Sequence, residues 1–306
     1  MGGVFLGTPA AAVPSLAAFC DVEDVELVIT QPDRRAGRGQ GKVAPAVKTA
    51  ARQFGIPVAQ PGSAAELLEV LVDLRPTIGL VVAYGRIFSP AILEIAPFGF
   101  LNVHFSLLPR WRGPAPVERA IAAGDERTGV TLMKLDEGLD TGPVIGEIAT
   151  PIGPAETGGS LTARLAFLGA SLVDSTIPDY VNGRRLPVPQ LATGNTHAAK
   201  LAKSEALLTP DWMVGAAERA VRAFSPRPGA WLHTESGDVK VHRAHTSMLS
   251  VDPGRIELIN GAVAAGFKDG ALQLDTIQPE GKGLQDATDW MHGRRGVPAT
   301  FASDAP

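Results

Sequence analysis

In the first 180 residues the apolar positions fall in short runs separated by stretches of helical character. Val4–Gly7, Val25–Thr30, Ile56–Ala59 and Ile78–Ala83 have the length of strands, and Val13–Phe19, Val43–Phe54 and Ala64–Leu74 that of helices. This alternation predicts βαβ units and a mainly parallel sheet, hence an α/β domain over residues 1–180. After Tyr180 the pattern changes. VNGRRLPVPQLATGNTHAAK is rich in Gly and Pro with little periodicity, which predicts a linker over 181–205. Beyond it, Trp212–Phe224 predicts one amphipathic helix, followed by short strands at Ala230–Glu235, Val239–His245, Arg255–Leu258, Ala262–Phe267 and Ala271–Ile277. Turn signals at Ser236-Gly237-Asp238 and Asp269-Gly270 part them, so residues 206–306 are expected to form a small open barrel of the OB type. The tail after Gly293 is expected to fray.

Composition sets limits on this picture. With 306 residues, 45% hydrophobic and 20% charged, the chain is ordinary globular protein and long enough for two domains. Its net charge of −4 requires any nucleic-acid partner to be met by a local basic patch. From residue 201 onward there are 11 Lys/Arg against 13 Asp/Glu, so a basic face there must be segregated. The single cysteine, Cys20, cannot form an internal disulfide, in keeping with a reducing compartment, and its place near the end of an apolar helix reads as core. No apolar run reaches the ~20 residues of a membrane span. MGGVFLGTP enters a strand without a basic leader, so a soluble, cytoplasmic protein is expected, acting as a monomer.

The chemistry concentrates in GFLNVHFSLLPRWRGP, residues 99–114. On a strand over Phe100–Ser106, Asn102, His104 and Ser106 share one side while Leu101, Val103 and Phe105 share the other. The carboxyl end of such a strand is where open α/β sheets bind ligands. A core histidine bonded to a backbone carbonyl would explain His104 alone, but Asn102 beside it at strand spacing favours a site. GLDTG at 138–142 holds Asp140 between strands expected at Val130–Leu135 and Val144–Ala149; by itself it also reads as a turn residue. A carboxamide, an imidazole and a carboxylate together suit acyl transfer without a covalent enzyme intermediate.

The loop QPDRRAGRGQGK (31–42) carries Arg34, Arg35, Arg38 and Lys42 among glycines. It is no Walker loop, because Ala36 and Val43 stand where Gly and Ser/Thr belong. Either it is a solvated loop or a basic finger that contacts phosphates. Arg110, Trp111 and Arg112 pose the same choice between nucleic-acid contact and a structural Trp–Arg stack. Leu6–Pro9 lacks the glycine fingerprint of NAD and FAD enzymes. His242 and His245 have no Cys, Asp or Glu at ligand spacing, so no metal is expected. No G-x-S-x-G elbow is present, which disfavours a serine hydrolase.

FLGTP, VITQPDRRAGRG, VVAYGRI, NVHFSLLPRWRGPAPVERAI and TGVTLMKLDEGLDTG resemble, in the right order, the methionyl-tRNA formyltransferase family. AAKLAKSEA and RAFSPRPGAW extend the resemblance over nearly the whole chain. It implies a Rossmann-like formyltransferase domain joined to a C-terminal OB-like barrel. The implied reaction moves a formyl group from 10-formyltetrahydrofolate to the amino group of methionyl initiator tRNA for translation initiation. Asn102 would stabilise the oxyanion, His104 would move protons, and Asp140 would orient or charge-stabilise His104. Ala83, Tyr84, Gly85 and Arg86, with Leu135, Gly138, Leu139 and Thr141, would line the folate pocket. Ser106, Leu107, Leu108 and Pro109 would shape its entrance.

Arg38, supported by Arg34, Arg35 and Lys42, would reach the tRNA, with Lys203, Arg222, Arg243 and Arg294-Arg295 as further candidates in the barrel. The sequence departs from the family pattern at Phe105, where glycine is expected, at Pro114 in place of alanine, at Gly2-Gly3, and in the longer KSEALLTPDW. Competing readings are the same chemistry on a sugar-nucleotide amine or glycinamide ribonucleotide, an RNA-binding protein with a degenerate catalytic domain, and a hydrolase releasing formate.

Overall fold

The apolar runs of the first half assemble into one sheet in the computed structural model, which describes residues 2–35 and 42–302. In chain order the elements are β1 (Gly2–Gly7), α1 (Val13–Val22), β2 (Asp24–Ile29), β3 (Arg34–Arg35), β4 (Lys42–Val43), α2 (Ala46–Gln53) and β5 (Val58–Ala59). There follow α3 (Ala64–Leu74), β6 (Ile78–Val82), α4 (Pro90–Leu93), β7 (Phe100–His104), α5 (Pro116–Ala123), β8 (Arg127–Lys134), β9 (Val144–Pro151) and α6 (Gly158–Val181). The sheet order is β5-β2-β1-β6-β7-β8-β9. Pairing is parallel up to β6·β7 and antiparallel at β7·β8 and β8·β9. The mainly parallel, Rossmann-like α/β sheet is therefore present, and β7 lies where its direction changes.

The chain forms two compact units: residues 1–116, 127–151 and 162–199 make one, and 117–126, 152–161 and 200–306 the other. All five residues of β6 are buried, as expected of a strand covered on both faces. α3 keeps its expected bounds because Ser63 Oγ accepts the Glu66 amide at 3.1 Å and the Glu66 carboxylate accepts from Gly62 N at 2.8 Å. α6 packs behind β7. A Cβ on its Gly169 would come within 2.8 Å of Val103 Cγ1, so this glycine sets how closely helix and strand approach. Cys20, expected in the core, is only partly buried, though burial still pushes its thiol up.

The stretch expected as a linker over 181–205 is divided between the units, residues up to Ala199 going with the first and those from Lys200 with the second. Val188 exchanges two backbone bonds of 2.8 Å with Val144. Arg112 N donates to Thr196 O at 2.9 Å, and Ala198 N donates to Arg112 O at 2.6 Å. These bonds strap residues 188–198 to the first unit.

The second unit contains α7 (Val214–Ala223), β10 (Ala230–Thr234), β11 (Gly237–Ser247), β12 (Arg255–Ile259), β13 (Ala262–Phe267), β14 (Gly270–Pro279), β15 (Gln285–Asp286), α8 (Ala287–Gly293) and β16 (Ala299–Thr300). α7 begins two residues later than expected, with Asp269 Oδ1 accepting the Val214 amide at 2.7 Å. Its antiparallel order is β10-β11-β14-β13-β12-β16, and a bridge between Thr234 and Phe301 brings the two ends almost to closure. Arg119 grips Glu205 with bonds of 2.6 and 3.2 Å, tying the 117–126 excursion to this unit and holding the Glu205 carboxyl below its usual range.

The expectation that the tail frays is overturned for residues 299–302. Arg255 pairs with Thr300 and Ile256 with Ala299, and Ala299 is fully buried. The Phe301 ring packs 5.3 Å from Phe267. A barrel this small needs its last strand to cover the edge of β12. Phe301→Ala is accordingly expected to cost about 3–5 kcal/mol of stability. The check is thermal unfolding, read as a lower midpoint for the second unit.

Candidate active site

Alternation along β7 places Asn102 and His104 on one face, Asn102 partly exposed and His104 buried. Ser106 does not join them. The strand ends at His104 and the chain turns inward, so that Ser106 is fully buried and its Oγ donates to Arg110 O at 2.6 Å. Thr131 Oγ1 holds the same turn, donating to Ser106 O at 2.7 Å and accepting from Leu108 N at 3.2 Å. The turn brings Trp111 O to 2.8 Å from His104 Nε2.

A carbonyl only accepts, so Nε2 carries the proton of the neutral ring and Nδ1 keeps a free lone pair. Asp140 Oδ2 lies 3.7 Å from that Nδ1. The same carboxylate oxygen accepts from Gly113 N at 2.7 Å. Gly113 has φ of +117, and a Cβ there would meet Ala198 O at 2.7 Å, so only glycine fits this close approach. Asp140 itself stands at φ +52, a left-handed position in the 138–142 turn. His104 is thus bonded to a backbone carbonyl on one side of its ring and faces a carboxylate on the other.

Asn102, His104 and Asp140 line one cavity of about 640 Å³, within the range of small-molecule sites. The walls are largely apolar, from Val81, Ile87, Phe105, Leu135 and Leu139. Ala83, Tyr84, Gly85 and Arg86 also line it. Left-handed residues Ala83 (φ +48) and Gly85 (φ +80) bend this segment, Gln31 Nε2 donates to Tyr84 O at 3.1 Å, and Arg86 donates to Pro61 O and Gly62 O, each at 2.9 Å. Burial pushes the Tyr84 phenol up.

Of the residues assigned to folate, Gly138, Thr141, Ser106, Leu107, Leu108 and Pro109 are not among the lining of this cavity. Gly138 N and Thr141 Oγ1 both donate to Asp136 Oδ1, at 3.1 and 2.7 Å, and Thr141 faces a second cavity of about 390 Å³ with Arg112 and Gln190. Val81, Ile87, Gly113 and Pro116 were silent in the sequence, because an apolar or small lining residue has no local signature. Phe105 and Pro114, two of the departures from the family pattern, both form part of the lining.

Arg34 is exposed on β3 and Lys42 on β4, a hairpin whose Arg35 pairs with Lys42. Arg38 lies outside the described residues. Lys48 Nζ anchors the hairpin base, reaching Asp33 at 2.8 Å and Gln60 Oε1 at 2.6 Å, and with Gln60 it holds the Asp33 carboxyl below its usual range. Arg110 stacks over Trp111 at 4.6 Å, so that pair forms the structural contact. Tertiary structure gives His245 a carboxylate that spacing did not, Asp275 Oδ2 at 3.2 Å. Among the described residues no three His, Cys, Asp or Glu cluster as a metal site, and no helix is long and apolar enough to cross a membrane.

Residues 15–177 match the Formyl transferase family, and residues 200–295 the Formyl transferase C-terminal domain. Methionyl-tRNA formyltransferase of Halorhodospira halophila is 44% identical over 96% of this chain and 97% of its own length. That of Xylella fastidiosa is 45% identical over 95% and 97%. The chain belongs to the methionyl-tRNA formyltransferase family. HypX from Aquifex aeolicus in complex with tetrahydrofolic acid shares the fold, with TM-score 0.64 and 16% identity over 94% of this chain; the match spans about half of HypX, 46%.

Proposed function

We propose that this enzyme transfers the formyl group of 10-formyltetrahydrofolate to the amino group of methionyl initiator tRNA, in the cytoplasm and as a monomer. The observation that carries the reading is the single cavity in which a carboxamide, an imidazole and a carboxylate face apolar walls. Those walls suit a flat heteroaromatic ring, and Ala83–Arg86 and Leu135 lie along them. Residues 1–180 hold the reacting groups, 188–198 brace them, and 206–306 bind tRNA.

The neutral amine attacks the formyl carbon, forming a C–N bond while the carbonyl oxygen becomes anionic. Asn102 donates to that oxygen, which is where charge develops. His104 Nδ1 takes the proton from the attacking amine, and the Asp140 carboxylate 3.7 Å away stabilises the imidazolium. The proton then passes to the departing folate nitrogen as its bond to the formyl carbon breaks. No enzyme nucleophile is required, and binding both substrates together supplies the remaining advantage. Arg34, Arg35 and Lys42, with Arg38, meet the tRNA phosphates.

The test is formyl transfer to methionyl initiator tRNA, with uncharged tRNA, free methionine and a sugar-nucleotide amine as controls. Product is expected with the charged tRNA alone. Its kcat/KM should fall steeply with salt, and Arg34→Ala should flatten the logarithmic slope by about one. Product on the sugar amine, or formate release without acceptor, would reject the tRNA assignment.

A further inference from the structure

The side chain of Gln190 belongs to the strap, not to the catalytic cavity, yet every hydrogen-bonding position of its carboxamide is used. Its Oε1 accepts from Arg112 Nε at 3.0 Å and from Arg112 Nη2 at 2.6 Å. Its Nε2 donates to Asp140 O and to Gly142 O, each at 2.8 Å. Two donors and two acceptor positions are all that such a group has. One end therefore holds the 138–142 turn that presents Asp140, and the other holds the residue next to Trp111.

Both contacts of the His104 ring depend on those two segments. Nε2 meets Trp111 O at 2.8 Å, and Nδ1 faces Asp140 Oδ2 at 3.7 Å. The strap also fixes the Trp111 segment through a second side chain, since Thr196 Oγ1 accepts from Trp111 N at 2.8 Å. Asp140 stands in a left-handed conformation, which a short turn keeps only where its surroundings determine it. The Gln190 bonds to the carbonyls on either side of Thr141 are such a determinant.

We infer that Gln190 is a positioning residue for the transfer reaction, bridging the Asp140 turn to the Trp111–Arg112 loop so that both nitrogens of His104 are held in register. The inference rests on the reading of His104 and Asp140 as the proton-transfer pair. Only a carboxamide of this length satisfies the arrangement: Glu would set oxygen against two carbonyls, Asn would fall a methylene short, and Met would fill the space without bonding.

The experiment compares Gln190→Met and Gln190→Glu in the full-length enzyme, alone and combined with Asp140→Ala, by steady-state and single-turnover transfer. Displacement of a reacting group by a mutation outside the site lowers rates by up to ~10²-fold. Gln190→Met and Gln190→Glu are expected to lower kcat by roughly 10–100-fold with KM for folate and tRNA within about threefold. In the Asp140→Ala background the further loss should shrink to a fewfold, because residues that act through one another are not additive. If both variants keep kcat, or lose the same factor with and without Asp140, Gln190 does not act through it and the inference falls. It falls too if KM for both substrates rises with kcat unchanged. Full activity in Asp140→Ala alone would instead overturn the proposed proton-transfer pair, so the two failures are distinguishable.

Discussion

Replacing His104 with alanine abolishes formyl transfer and leaves folate binding within about threefold, the largest effect expected for this enzyme. General acid–base groups typically contribute about 10²–10⁴ in rate, and in the proposed mechanism one imidazole takes the amine proton and returns it to the leaving nitrogen. The lone pair at Nδ1 is fixed for that task because Trp111 O, at 2.8 Å, commits Nε2 to donation. Most of the cavity wall is built by other residues, so folate binding is expected to survive. The substitution leaves Trp111 O without its side-chain partner, which costs about 1–3 kcal/mol if the carbonyl finds no other. Rates are therefore measured well below the unfolding temperature, with folate affinity by calorimetry on the same preparation. Transfer within tenfold of the parent enzyme would remove His104 from the mechanism.

Asn102→Ala is expected to lower kcat by about 10²–10³ with little change in KM, the usual loss for one oxyanion donor. Among the described residues the Asn102 carboxamide has no hydrogen-bond partner, and the side chain lines the cavity partly exposed. Truncation thus orphans no buried group, and unfolding should hardly move. Asn102→Asp provides the sharper comparison. It keeps the shape, loses the donor and places negative charge where the oxyanion forms, so its loss should be at least as large. Rapid-quench measurement of the chemical step decides. A rise in KM with kcat unchanged would show that Asn102 binds the ground state and not the transition state.

Much of the first sheet was legible because β1, β6 and the caps of α3 depend on local rules: apolar runs buried on both faces, and a Ser63–Glu66 cap. The pair Asn102 and His104 was legible for the same reason, since strand alternation fixes which side chains share a face. Ser106 was misplaced by extending that alternation two residues past the strand, where the Ser106–Arg110 and Thr131 bonds turn the chain inward. The C-terminal strand at Ala299–Thr300 escaped notice because a two-residue strand has no period, and its stability comes from pairing with β12.

By itself, the sequence determined the two sheets, the face on which Asn102 and His104 stand, and the basic character of the 31–42 loop, all through short-range periodicity and residue type; its pairing as a hairpin came from the structure. Tertiary structure alone brought Asp140 to His104, committed the Nε2 proton to Trp111 and turned an irregular Gly/Pro-rich stretch into a strap carrying Gln190. The reason is physical. Contacts between segments 36 or 50 residues apart arise from chain reversal and from backbone groups seeking partners, and any residue offers a backbone carbonyl. No pattern along the chain marks which one His104 will meet.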